Sequence, residues 1–304
     1  MTFPLWLADT IAKSAQRAPA SAGLPSAVAF LEIPARTEVV TIPTRHGEIR
    51  GTVYLPRTPD SGSGVYVNFH GGGFVTRHPE QDDALCRYVA ANADVTVLNV
   101  DYVPAPQSRF PGPVEQAYDA VVWAAAATRP WNGAKLVVGG QSAGGALAAG
   151  AARLALERGG PAISLQVLMY PPLDLSVPAR TKKKPDTESF LVRMGPIFDT
   201  AYCPDVGRRK DRLISPAGPS DRASLAGIAP ALVVTAQRDI LRDEGARYAR
   251  RLADAGALVE HLDLPNVGHG FNLFGADREL VTTVYDRIVV HTSDATAPDR
   301  DGRH

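Results

Sequence analysis

From residue 65 onward the chain alternates short, wholly apolar runs with stretches of helical periodicity. Apolar runs at 65–69, 95–100, 136–138 and 164–169 are separated by helical patterns near 81–93 and 114–127 and after Ser142. The alternation breaks off and then resumes with runs at 231–236 and 258–264, each followed by a helical pattern, near 244–255 and 276–290. A strand that is apolar on both faces has to be covered on both, and helices crossing between successive parallel strands provide that cover. The expected fold class is therefore α/β, a mostly parallel sheet of about eight strands flanked by helices. In such sheets, chemistry gathers at the carboxyl ends of the strands.

The flanking segments read differently. Val39, Thr41 and the stretch 48–54, split by Arg45-His46-Gly47, suggest an antiparallel hairpin at the sheet edge. Residues 1–35 carry Trp6, Leu7 and Ile11 among small and polar residues, as one or two short amphipathic helices would. Between residues 175 and 225 Pro, Ser, Lys and Arg are frequent and no strand pattern appears. That stretch is expected to be an insertion packing over the strand ends together with the N-terminal segment. The working division is an N-terminal covering segment at 1–44, one core domain at 45–174 and 226–293, an inserted cover at 175–225, and a frayed polar tail at 294–304. A chain of 304 residues with 45% hydrophobic content can bury a core of that size.

Charge and cysteine usage narrow the function. Lys plus Arg equals Asp plus Glu, at 32 each, which leaves no basic footprint for nucleic acid. The run Arg180, Lys182, Lys183, Lys184 reads as a solvated loop. Cys86 and Cys203 form no Cys-x-x-Cys pair and have no metal-ligand spacing with the seven histidines, so no metal is expected. Residues 1–20 lack a basic region ahead of their apolar positions and are interrupted by Asp9, so neither a signal peptide nor membrane insertion is expected. A cytoplasmic location is the corresponding expectation.

The stretch Leu136-Val137-Val138-Gly139-Gly140-Gln141-Ser142-Ala143-Gly144-Gly145 reads as a buried strand, an abrupt turn with a serine at its apex, and the start of a small-residue helix. A Gly-x-Ser-x-Gly pattern can also be an ordinary turn, so the catalytic reading depends on what else the chain supplies. A serine hydroxyl needs a base, and the base needs an orienting group. His269, flanked by Gly268 and Gly270 just after the run ending at 264, is placed to reach over the sheet. His46, His261, His291 and His304 are poorer candidates. The acid is expected at Asp239, closest to the end of the run at 231–236, with Asp243 as the fallback. Asp243 and Glu244 also suit the first turn of the following helix, where its dipole favours negative charge. For the developing oxyanion, His70-Gly71-Gly72-Gly73-Phe74 follows a core run. The N–H groups of Gly72, Gly73 and Ala143 are the expected donors, with Gly71 a further candidate. A glycine run could instead cradle phosphate, but neither common nucleotide-binding glycine pattern accompanies it.

Taken together, these residues resemble the hormone-sensitive-lipase-like branch of the α/β-hydrolase carboxylesterases, the bacterial family IV esterases. The resemblance rests on His70-Gly71-Gly72-Gly73-Phe74, Gly140-x-Ser142-Ala143-Gly144-Gly145, Tyr170-Pro171-x-Leu173-Asp174, Asp239-x-Leu241-Arg242-Asp243-Glu244-Gly245 and His269-Gly270-Phe271, in that order over residues 65–290. It implies the α/β-hydrolase fold and a helical cap formed by the N-terminus and the insertion. It also implies hydrolysis of short- to medium-chain acyl esters through an acyl-enzyme, with a small-molecule ester as partner and no cofactor. Whether the chain forms a homo-oligomer is left open. Amide or lactone hydrolysis by the same triad stays open too. A non-catalytic binding protein on this fold is the remaining reading, and His269 in its expected context argues against it.

This chain departs from the family in three places. The residue before the nucleophile, usually Asp, is Gln141. The usual Asp-Tyr-Arg-Leu-Ala-Pro-Glu segment reads Asp101-Tyr102-Val103-Pro104-Ala105-Pro106-Gln107. Because a buried charge persists only when paired, Val103, Gln107 and Gln141 are expected to form one cluster whose ionic pairing was replaced as a unit.

Overall fold

The computed structural model describes residues 3–17, 25–58, 62–182 and 190–297. Its strands are β1 (Thr37–Thr44), β2 (Gly47–Tyr54), β3 (Val65–Phe69), β4 (Thr96–Asp101), β5 (Leu136–Gln141), β6 (Leu165–Met169), β7 (Ala231–Ala236) and β8 (Leu258–Leu264). The helices are α1 (Leu5–Arg17), α2 (Asp83–Asn92), α3 (Gly112–Ala124), α4 (Ala143–Arg158), α5 (Phe190–Tyr202), α6 (Arg242–Asp254), α7 (Phe271–Phe274) and α8 (Arg278–Thr296). All eight strands join one sheet in the order β1-β2-β4-β3-β5-β6-β7-β8. Pairing is antiparallel from β1 to β2 and from β2 to β4, and parallel everywhere else. The α/β expectation holds.

The two-residue period of the strands divides the core into two layers. Val65, Val67 and Phe69 of β3, Leu136 and Val138 of β5, and Ala231 and Val233 of β7 pack with apolar residues of α3, α4 and α6. Tyr66, Val137, Leu232 and Val234 face the other way, onto α2 and α8. Every residue of β3, β5, β6 and β7 is buried, which explains why these segments read as mostly apolar runs. Because β3, β5, β6, β7 and β8 are parallel neighbours, the loops that leave their carboxyl ends share one rim.

The expected boundaries need correcting at both ends. The N-terminal segment, placed at 1–44, contains all of β1, which pairs with β2 along its whole length. Only Ile42 of β1 is buried, so the strand lacks a strong apolar signal, and Pro43 is tolerable because β1 lies at the edge. At the other end, α8 continues to Thr296, whose side chain packs on Gly64 just before β3, so residues 294–296 are part of a docked helix. Residues 298–304 lie outside the described residues.

Helix α5 of the 175–225 stretch packs on α1. Helix α1 is pinned to the loops at the sheet rim: Asp9 pairs with Arg109 at 2.7 Å, and Gln16 Nε2 donates to the carbonyls of Val75 (2.7 Å) and Ala105 (2.9 Å). The later part of the 175–225 stretch does something else. Ile214, Ala217 and Leu225 are buried in the core layer, and Asp221 pairs with Arg251 of α6 at 2.9 Å. These few apolar anchors are outnumbered by Pro, Ser and Arg, which hid this docking in the sequence. The basic run also divides. Arg180 is exposed, but Lys182 is half-buried against Glu244 at 2.5 Å, and Lys183 and Lys184 lie outside the described residues.

Candidate active site

Strand β5 ends at Gln141 and α4 begins at Ala143, so Ser142 alone makes the turn, with φ 53° and ψ −123°. This is a conformation that residues with side chains rarely adopt, and it is held by its surroundings. A Cβ at Gly144 would lie 1.7 Å from the carbonyl oxygen of Phe69, and one at Gly140 would lie 2.4 Å from that same atom. Both glycines are required because the end of β3 passes directly against the elbow. The Ser142 N–H donates to Met169 O at 2.9 Å, which ties the turn to β6 as well.

His269 leaves the end of β8 and precedes α7, and its Nε2 lies 2.9 Å from Ser142 Oγ. Its Nδ1 lies 2.6 Å from Asp239 Oδ2, in the loop after β7. The Asp239 side chain is 1% exposed, and its other oxygen accepts the Leu241 N–H at 3.0 Å. An ionised carboxylate only accepts, so Nδ1 carries the proton and donates it, leaving the Nε2 lone pair to face the serine hydroxyl. The acid and histidine loops are also joined through their backbones, Gln237 N to Leu264 O (2.9 Å) and Arg238 N to Val267 O (2.8 Å).

Asp243, the fallback acid, is half exposed and faces Arg242 at 3.7 Å. Glu244 departs from its expected helix-dipole role. It is buried, accepts the N–H groups of Leu173 (2.8 Å) and Asp174 (3.2 Å), and pairs with Lys182. Burial raises its carboxyl above the usual range against the pull of Lys182.

The glycine loop after β3 is brought to the same rim. Gly72 and Gly73 have φ of 117° and 60°, and among the described residues their N–H groups make no backbone hydrogen bond. Ala143 is the first residue of α4, so its N–H has no intrahelical partner. A Cβ at Gly71 would stand 3.5 Å from Ser142 Cβ, which brings the start of the glycine loop beside that serine. His70 anchors the loop from beneath, its Nδ1–H donating to Gly71 O at 2.7 Å while its ring stacks on Tyr102 at 4.4 Å.

Val103, Gln107 and Gln141 do not form the expected cluster. Gln107 bonds Gln16 at 2.7 Å, and the Val103 N–H donates to Gln116 at 3.0 Å. Gln141 instead belongs to a buried polar network under the elbow, which sequence reasoning missed. Its Nε2 donates to Asp82 Oδ1, and its Oε1 accepts from Tyr170 (2.6 Å) and from Asn272 (2.8 Å). Asp82 Oδ2 accepts from Asn68 at 2.8 Å, and Asn68 also donates to Asn99 at 3.0 Å. Tyr170 stands edge-on to His269, with ring centroids 4.8 Å apart. Gln141, just before Ser142, and Asn272, three residues after His269, are therefore bonded to each other and both to Tyr170. The available signal was Asn68 and Asn99, polar residues inside otherwise apolar strands.

Burial pushes the Asp82 carboxyl from 3.8 up to about 7, even though Asn68 and Gln141 donate to it. Burial also lowers His70 from 6.5 to about 4. A native Asp82 keeps a proton that the unfolded chain has released, so its contribution to stability falls as pH rises from about 4 to about 7. His70 acts oppositely. It stays neutral when folded while the unfolded chain takes up a proton, so its contribution is lost as pH falls from about 6.5 towards 4. Asp82→Asn removes the first effect and leaves the second. Urea unfolding at about pH 7 and pH 5 should show the variant losing more stability on acidification than the wild-type protein. An equal or smaller loss would contradict the buried, protonatable Asp82.

The family model described as alpha/beta hydrolase fold matches residues 66–273. The chain belongs to this family. It is 38% identical over 252 residues to the carboxylic ester hydrolase LipN of Mycobacterium tuberculosis, a match covering 77% of this chain and 64% of LipN. It is 33% identical to an ethyl acetate hydrolase of Pseudomonas putida, over 81% of this chain and 80% of that enzyme. Among solved structures, a hyperthermophilic esterase from the archaeon Pyrobaculum calidifontis superposes with a TM-score of 0.80 at 32% identity, covering 98% of this chain and 95% of that one. The resemblance to α/β-hydrolase carboxylesterases is thus borne out. Among the described residues, no helix of this α/β-hydrolase is long and apolar enough to cross a membrane.

Proposed function

We propose that this α/β-hydrolase is a serine carboxylesterase acting on short- to medium-chain acyl esters through an acyl-enzyme. The observation that carries the reading is the continuous chain Ser142 Oγ to His269 Nε2 (2.9 Å) and His269 Nδ1 to Asp239 Oδ2 (2.6 Å), from loops that leave the carboxyl ends of β5, β7 and β8. As Ser142 attacks the ester carbonyl, His269 takes its proton, and Asp239 stabilises the imidazolium and fixes the ring. Negative charge then develops on the carbonyl oxygen, where the N–H groups of Gly72, Gly73 and Ala143 receive it without reorganising. His269 returns the proton to the departing alkoxide. Water, activated by the same histidine, releases the acid.

The similarity to an ethyl acetate hydrolase supports a short acyl chain. Ester chemistry, not amide or lactone chemistry, is the reading that the named relatives favour. A cytoplasmic location remains part of the proposal, in keeping with Cys86 and Cys203 as separate buried thiols. Purified protein should hydrolyse p-nitrophenyl butyrate at least about a hundredfold faster, in kcat/KM, than the matched anilide or a γ-lactone, since alkoxide-type leaving groups need less assistance than amines. Preference for the anilide or the lactone would replace the ester reading.

A further inference from the structure

A cavity of about 630 Å³ opens beside the triad, lined by Phe190, Leu191, Arg238, Asn266, Gly268, His269 and Phe274. It includes His269 but none of the proposed oxyanion donors. That asymmetry identifies which part of an ester fits there. The acyl oxygen must face Gly72, Gly73 and Ala143, whereas the leaving oxygen must reach His269 to collect its proton. A space walled by His269 and not by the glycine loop therefore receives the alcohol portion.

The walls of this space have a distinct chemistry. Phe190 and Phe274 are 65% and 78% exposed, forming an aromatic rim. A Cβ at Gly270, where φ is 69°, would lie 2.7 Å from the Phe274 ring, so the histidine loop itself makes room for that ring. Among the described lining residues Arg238 is the one cation, and it makes no ion pair with any described residue. Its backbone N–H, bonded to Val267 O at 2.8 Å, fixes it beside the histidine loop. Among the described residues, the carboxylates on the same strand ends and loops are already engaged. Asp239 is buried against His269, and Arg242 takes both Asp263 (2.5 Å) and Asp243 (3.7 Å). A guanidinium with no ion-pair partner among the described residues, at the edge of an apolar pocket, recruits an anion, and its planar fork suits a carboxylate or phosphate oxygen pair.

We propose that Arg238, with Phe190 and Phe274, forms an alcohol-side subsite selecting esters whose leaving alcohol is aromatic or apolar and carries an anionic group. This rests on the esterase reading above. Arg238 acts on binding and touches none of the reacting atoms, so its effect belongs mainly in KM.

The test compares 4-acetoxybenzoate, whose leaving phenol bears a carboxylate, with its uncharged methyl ester. Using the ratio of variant to wild-type rates for each ester cancels their different intrinsic reactivities. Arg238→Gln should lower kcat/KM for 4-acetoxybenzoate about tenfold more than for the methyl ester, as expected for one solvent-accessible charge-assisted contact. Arg238→Lys should restore part of that difference, Arg238→Glu should enlarge it, and about 0.5 M NaCl should shrink it in the wild-type protein. Equal factors for both esters in Arg238→Gln and Arg238→Glu would overturn the subsite. If folded wild-type protein hydrolyses neither ester, the esterase reading fails instead.

Discussion

Asp239→Asn should lower kcat on p-nitrophenyl butyrate by about 10⁴-fold, whereas Asp243→Asn should change it less than about twofold. An amide at position 239 presents an N–H₂ or a carbonyl to His269 in place of an ionised acceptor. The ring can then reverse its tautomer, with the proton moving to Nε2, where it points at Ser142 Oγ and blocks proton abstraction. The 2.6 Å contact to Nδ1 and the second anchor on the Leu241 N–H leave the carboxylate no freedom to compensate. Asp243 is half exposed and already faces Arg242, so losing its charge removes only a weak surface pair. Comparable losses in both variants would mean that the acid is shared. A small loss in Asp239→Asn, with the fold intact, would remove Asp239 from the mechanism.

Parts of this site were readable from the sequence because each obeys a local rule. Gly140 and Gly144 must be glycines where a strand reverses into a helix beside another strand, and the Phe69 carbonyl makes that requirement absolute. Asp239 could be chosen because the apolar run before it marks a buried parallel strand, and His269 because it follows the last strand-like stretch of the same sheet, whose parallel strands end at one rim. The core strands were legible for the same reason, being buried on both faces. Strand β1 reads as one arm of an edge hairpin, but the expected segment boundary falls after it, at 44, because an edge strand with one buried residue carries little core signal.

What escaped the sequence depends on tertiary pairing. Gln141 was flagged as unusual, but its partners Asp82, Tyr170 and Asn272 come from separate segments that only the folded sheet brings together. Lys182 and Glu244 looked like surface charges in a loop and a helix start, yet they bury one another where the insertion leaves the core. A charged residue gives no local sign that its partner lies on another element. The network around Gln141 also shows what the neutral residue does there: its amide bridges the Asp82 carboxyl to Tyr170 and Asn272 on the histidine side of the site.

The central claim is that Ser142 is an activated nucleophile, and covalent labelling tests it most directly. An alkyl fluorophosphonate should form one Ser142 Oγ–phosphorus bond per chain with loss of fluoride, located by mass spectrometry on the peptide containing residues 136–147. Ser142→Ala should take no label and should lose at least about 10⁴-fold in p-nitrophenyl butyrate hydrolysis while keeping the wild-type circular dichroism spectrum and unfolding midpoint. Alanine is smaller than serine and keeps the turn's interactions through the backbone, so a folded, inactive and unlabelled variant is the predicted result. Label on another residue, or substantial hydrolysis by folded Ser142→Ala protein, would contradict the account.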